Sequence, residues 1–313
     1  ETPHLGDLIT SCTNLKALDF VLTNPYSKME RVAESIKKSP VLHLLIEADT
    51  DKCDFFLKLL NEFHVDSLSY FGLYVSMGYF TQDLISHVIK FITLQRSLEK
   101  IFVGVLADEA RYISVYQTLA EAISEKESLT ILEMYFSVTF VNRTFDDQKL
   151  SSPLMHVKEA QLILKPMLKI NKLVSGLLNV SKLKVEYFTQ EESQVSEVIS
   201  NICELKHLEA LEFLTNASLS FSVINDLLEK LSAKAILINI ILRFSSNELK
   251  IPERVIQSIH SWLKQMFMLS SKMQKILIEV SIHKKGHIEN FCMTRDILKK
   301  LESGTKRKFF SLE

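Results

Sequence analysis

A few residues in this chain have the types and spacing from which chemistry is usually built. His283 and His287 stand four apart, the interval that places two imidazoles on one helix face, where a third ligand could complete a metal site. Gly286 interrupts that segment and no third ligand lies close in sequence, so no metal is expected there. Cys292 follows His287 and supplies the residue types of a thiolate–imidazole pair, yet nothing in the spacing aims one at the other. Asp146-Asp147 and Glu191-Glu192 are adjacent carboxylates in stretches that read as a loop or a helix start, where solvation or capping uses them better than acid–base work. The frames G-x-x-x-x-G-K-[ST], G-x-S-x-G, H-E-x-x-H and G-x-G-x-x-G are absent, and seven glycines in 313 residues leave little material for a phosphate-cradling loop. The expectation is therefore no catalytic residue, no metal and no cofactor.

Composition narrows the classes further. Lys plus Arg number 37 against 38 Asp plus Glu, a formal net charge of −1, so no bulk field draws the chain to nucleic acid or anionic lipid. Hydrophobic residues make up 47%, ample for a continuous core, yet no apolar run is long enough to predict a membrane-spanning helix. Cys12, Cys53, Cys203 and Cys292 are scattered without a C-x-x-C pair. That reads as reduced, mostly buried thiols in an intracellular, cytoplasmic protein. Lys306-Arg-Lys308 leaves a nuclear address open, although three basic residues more often form a solvated tail. Sequons at Asn142, Asn179 and Asn216 read as chance, the last two lying in or beside core-bearing segments. The chain opens Glu1-Thr-Pro with no methionine, which fits a piece of a longer polypeptide or complex.

The elements that must position any site are announced by a repeat. Asn14-Leu-Lys-Ala-Leu-Asp-Phe20 returns as His207-Leu-Glu-Ala-Leu-Glu-Phe213. Both place apolar residues as first-x-x-second-x-third. The frame recurs at Leu15/Leu18/Phe20, Leu42/Leu45/Glu47, Leu68/Phe71/Leu73, Leu98/Ile101/Val103 and Leu129/Leu132/Met134. It continues at Val180/Leu183/Val185, Leu208/Leu211/Phe213, Leu237/Ile240/Leu242 and Met273/Ile276/Ile278, with Glu47 the one polar slot. Second slots are mostly 26–31 residues apart, with one gap of 51 between Leu132 and Leu183. Leu154/Val157/Glu159 would divide that gap, again with a polar third slot. Residues 137–160 otherwise look like an irregular loop.

Between frames the apolar period changes from two to about 3.6, as over Met29–Lys38, Asp54–Phe63, Leu84–Leu94 and Val195–Leu205. Ser27-Lys-Met-Glu30 and Thr189-Gln-Glu-Glu192 fit the capping-box pattern, and Pro252 suits a first helical turn. A short strand followed by a helix at this period resembles the leucine-rich repeat family, in its irregular ribonuclease-inhibitor-like subclass. The turn asparagine usual in that family, eight residues after the first slot, is matched by Asn216 but is Thr23 in the first frame. The resemblance implies an α/β leucine-rich-repeat solenoid, a horseshoe with parallel strands on the concave face and helices on the convex face. It would comprise nine or ten irregular repeats over residues 1–280, closed by a helical cap and basic tail over 281–313. Phe291–Leu301 has the spacing of that capping helix.

In such a fold the residues beside the slots point to the concave face, because strand side chains alternate. Early in the chain these include Leu44, Ile46, Tyr70, Tyr74, Phe102, Ile131 and Tyr135; later ones include Lys182, Lys184 and Arg243. Aromatic area of that density is typical of protein-contact cores, so these residues are the expected partner-binding set. The aromatic half would anchor a protein partner and the charged half would set register, making the chain a non-catalytic interaction scaffold. Two other roles fit a repeat domain: the sensing or autoinhibitory part of a larger receptor, or a regulator of a GTPase.

Overall fold

Each recurrence of the three-slot frame produces a short strand, and in the register the structure adopts the first slot sits two residues before the strand begins. The computed structural model describes residues 5–22, 29–48, 52–76, 81–107, 119–138, 153–164, 174, 176–189, 191–234, 237–246, 253–269, 271–282 and 287–294. The chain divides into two compact units, Glu1–Val157 and Lys158–Glu313.

In the first unit, α1 (Leu5–Ser11) precedes β1 (Ala17–Leu22), α2 (Met29–Lys38), β2 (His43–Ala48) and α3 (Cys53–Glu62). Then come β3 (Tyr70–Val75), α4 (Gln82–Leu94), β4 (Lys100–Ala107), a helical stretch at 119–124, and β5 (Ile131–Val138). Strands β1 to β5 pair side by side, all parallel. The second unit holds β6 (Glu159–Leu164), β7 (Lys182–Tyr187), α5 (Glu192–Glu204), β8 (Ala210–Ser218) and α6 (Phe221–Ser232). It continues with β9 (Asn239–Ser246), α7 (Glu253–Leu269), β10 (Lys275–Ile282) and β11 (His287–Thr294). Strands β6 to β10 are parallel in sequence order, and β11 pairs antiparallel with β10. Each unit is thus a solenoid-like α/β stack, in which one strand-helix layer buries its apolar side only against its neighbours.

The core lies between strands and helices. Second and third slots stack in register: Leu44 beside Phe71, Phe71 beside Ile101, Ile101 beside Leu132. Phe71 meets Phe91 of α4 with ring centroids 4.7 Å apart, and Phe20 meets Phe56 of α3 edge-on at 5.5 Å. Trp262 of α7 donates its indole N–H to the Leu228 carbonyl of α6, which satisfies the one polar atom of a buried ring.

A backbone stitch repeats between successive layers within each unit. The carbonyl just before or at the start of one layer's strand accepts two successive amides from the next. Lys16 O takes Leu42 and His43 N–H (2.9 and 3.0 Å), Leu42 O takes Ser69 and Tyr70, and Ser69 O takes Glu99 and Lys100. In the second unit Lys158 O takes Ser181 and Lys182, and Ser181 O takes Glu209 and Ala210. Because parallel strands cannot share a tight turn, this stitch fixes register where each chain segment enters the sheet.

Several expectations need correction. The second frame is Val41/Leu44/Ile46, one residue earlier than the sequence suggests, because Leu18 pairs with Leu44 and Phe20 with Ile46. That register leaves no polar slot: Val41, Leu44 and Ile46 are all 0% exposed, and Glu47 is on the surface. The frame in the long gap is Val157/Ala160/Leu162, not Leu154/Val157/Glu159, since Ala160 pairs with Leu183 and Leu162 with Val185. A one-residue slip exchanges the two faces of a strand, so burial decides the register where the sequence is ambiguous.

Phe291–Leu301 does not form a single helix: residues 291–294 belong to β11, and 295–301 lie outside the described residues. Pairing the otherwise open edge of β10 outweighs the local helical spacing. Thr189 forms no capping box either. Its hydroxyl bonds Gln194 and the Glu191 amide, while Glu192 reaches the next layer and accepts from the Ser220 N–H and Oγ, both at 2.7 Å. Ser27 and Pro252 lie outside the described residues. Asn216 is exposed on β8 rather than holding a turn. Buried Gln95 does that work in the first unit, donating to the Val65 carbonyl and accepting from the Leu68 amide at 3.3 Å.

Candidate functional site: the strand face away from the helices

Alternation along each strand sends every second side chain away from the helices. In the first unit, pairing sets these residues in three rows across the strands. One row runs Ala17, His43, Tyr70, Lys100, Ile131; the next Asp19, Leu45, Gly72, Phe102, Glu133; the third Val21, Glu47, Tyr74, Gly104, Tyr135. Tyr70, Tyr74, Phe102, Ile131 and Tyr135 are therefore brought to one face, each half-buried, as expected. Leu44 and Ile46 are not there. They belong to the core for the register reason given above, and His43 and Leu45 take the places on the face that Leu44 and Ile46 were expected to hold.

Two glycines shape this face. A methyl group at Gly104 would collide with Cδ2 of Tyr74, so the Tyr74 ring lies against the Gly104 backbone. From there it reaches Tyr135, with ring centroids 6.0 Å apart and planes tilted by 41°. At Gly72 the space is filled by Leu45 Cδ1 and the Tyr70 hydroxyl. Glycine in a strand interior weakens it unless something packs over the gap, and here rings and a leucine do so.

The charges on this face are few. Lys100 pairs with Glu133 at 2.8 Å and also sits over the Tyr70 ring, 5.4 Å from its centroid. Burial pushes the Tyr70 phenol up to about 12, with Glu133 and Asp19 adding to it. Tyr74 is also raised, by burial first and then by Tyr135 and Glu47. Both phenols therefore stay neutral through the physiological range. Asp19 and Glu47 have no ion-pair partner among the described residues.

The corresponding face of the second unit is built differently. Its rows run Glu159, Lys182, Ala210, Asn239, Lys275; Gln161, Lys184, Glu212, Ile241, Leu277; and Ile163, Glu186, Leu214, Arg243, Glu279. Lys182, Lys184 and Arg243 lie on it as expected, but they are already engaged. Lys182 meets Glu159 at 2.5 Å, Lys184 meets Glu186 at 3.0 Å, and Arg243 bridges Glu212 at 2.7 Å and Glu279 at 3.6 Å. The apolar members Ile163, Leu214, Ile241 and Leu277 are half-buried between them. Ile163 and Gln161 escaped the sequence reading because Ala160, a small residue in a leucine slot, hid the frame.

The other chemistry-bearing residues go elsewhere. Glu191 accepts from Gln194 at 2.7 Å and Glu192 caps α6, so both serve helix starts. Burial pushes Cys53 up to about 12 and Cys203 to about 11, which keeps both thiols protonated and inert. A shallow recess beside α5 and α6 exposes Ser193, Ser196 and Ser200, but Lys230 already reaches the Ser196 and Ser200 hydroxyls. His283 and Asp146-Asp147 lie outside the described residues. Among the described residues no three of His, Cys, Asp and Glu gather where a metal could be held, and no helix is long and apolar enough to cross a membrane. No family model matches this chain, and no curated protein matches it.

Proposed function

We propose that this chain is a non-catalytic protein-interaction module of the leucine-rich-repeat kind, which binds a protein partner through the strand face away from the helices. The single observation that carries this reading is the cluster of Tyr70, Tyr74, Phe102 and Tyr135 on one face of the first unit, half-buried, with Tyr70, Tyr74 and Phe102 packed against Gly72 and Gly104. Aromatic rings supply large contact area while losing few rotatable bonds on binding, which is why they dominate interface hot spots. A strand-borne cluster is also preorganised, so little ordering opposes binding. Lys182, Lys184 and Arg243 would contribute register rather than anchorage, because each is already paired within the chain.

The test uses Tyr74→Ser together with Phe102→Ser. Partner binding from the native source should weaken by at least about 2 kcal/mol if these rings are the anchor. Thermal unfolding should fall modestly and stay cooperative, because neither ring lies in the core between strands and helices although Tyr74 packs over Gly104. Unchanged binding removes the anchor, and a collapsed fold removes the assignment of these rings to a surface.

A further inference from the structure

The first unit's strand face holds one complete set of phenol, carboxylate and cation, and one set that lacks its cation. In the complete set, Lys100 stands next to Tyr70 on the neighbouring strand, lies over its ring and pairs with Glu133. Two rows further along the same strands, Tyr74 again has a carboxylate beside it, Glu47, and a second phenol, Tyr135, at 6.0 Å. At the register position where Lys100 serves Tyr70, however, Tyr74 has Gly104. Glu47 is exposed and has no ion-pair partner among the described residues.

We propose that Tyr74, Tyr135 and Glu47 receive an arginine or lysine side chain from a basic segment of the protein partner. The inference rests on reading this face as a protein interface, and it names the chemistry of what docks there. A ring face attracts a cation through its quadrupole, and a carboxylate alongside adds a charge-assisted hydrogen bond. Arginine suits the arrangement best, because its planar guanidinium can stack on a phenol while its N–H groups address a carboxylate edge. Asp19, likewise unpaired among the described residues, extends the negative charge toward β1 and favours a segment with more than one basic residue. Among the described residues the second unit's face has no equivalent vacancy: Glu159, Glu186, Glu212 and Glu279 each meet a cation of the chain itself.

The experiment is fluorescence anisotropy of the full chain with a labelled peptide of alternating arginine and alanine, and with its twin carrying glutamate for arginine. The arginine peptide should bind and the glutamate twin should not. Glu47→Gln and Tyr74→Leu should each weaken binding about threefold to fivefold, while Glu127→Gln, on an exposed turn, should leave it unchanged. Equal binding of the two peptides overturns the proposal. So does a loss at Glu127→Gln as large as at Glu47→Gln, which would mean unspecific attraction. Partner capture with the Tyr74→Ser, Phe102→Ser chain, read by cross-linking and mass spectrometry, separates the two levels of failure. Capture that depends on the rings through a segment without Lys or Arg removes the cation site alone. Capture indifferent to the rings removes the interface and the cation site with it.

Discussion

The first unit covers its strand face with rings and a leucine laid over glycine, whereas the second covers its own with long charged chains joined from strand to strand. Tyr74 over Gly104 and Leu45 over Gly72 exclude water through shape. Arg243 instead joins Glu212 and Glu279 through charge, spanning three strands with all three side chains still partly in water. The two solutions have different consequences for binding. Rings present apolar area that is favourable to bury and costs little rotamer entropy. Paired charges satisfy one another, so a partner gains little from them unless it replaces a bond already made. The same solenoid layer can therefore carry a contact surface in one unit and a self-contained face in the other.

The comparison can be broken hardest in the core beneath each unit's own face. Leu44→Ala in the first unit and Leu162→Ala in the second should each cost about 3 kcal/mol, measured by denaturant unfolding, since both residues are fully buried. Leu45→Ala, one residue away but on the open face, should cost under about 1.5 kcal/mol. Equal losses at Leu44 and Leu45 would undo the corrected register of β2. A smaller effect tests the glycine platform. Gly104→Ala should cost about 1–2 kcal/mol and displace Tyr74 from Tyr135, visible as altered near-ultraviolet circular dichroism. Gly72→Ala should cost less, because the Leu45 methyl it meets is the end of a flexible chain. The smallest change belongs to the second unit. Glu212→Gln should destabilise by about 0.5–1 kcal/mol at low salt, an effect that added salt shrinks because the Arg243 pair is partly solvated.

The repeat was legible because burying a strand-helix layer needs apolar residues at fixed offsets, and most layers supply large ones. It became illegible where the offsets were degenerate. In Val41-Leu-His-Leu-Leu-Ile46 either of two registers offers leucines, and only burial of Leu44 and Ile46 against neighbouring layers selects one. Ala160 fills a slot with too little side chain to be noticed, although its strand is aligned with β7 throughout. The aromatic residues of the candidate site could be placed on one face from alternation alone. Their arrangement could not, because the contact of Tyr74 with Tyr135 crosses from β3 to β5 over Gly104, and no local pattern encodes it. The end of the chain misled for a related reason: the spacing of Phe291 onward is helical, but the edge of β10 recruits 287–294 as a strand.

By itself the sequence determined that strands and helices alternate, how often they do so, and that aromatic residues gather early and charges late. These follow from periodicity and residue type, which act over a few neighbouring positions. Tertiary structure alone decided which leucines are core, which cations are already paired, and that Glu47 stands beside Tyr74 without an ion-pair partner among the described residues. Those outcomes depend on register between strands tens of residues apart, and a one-residue change in register exchanges the buried face of a strand for the exposed one.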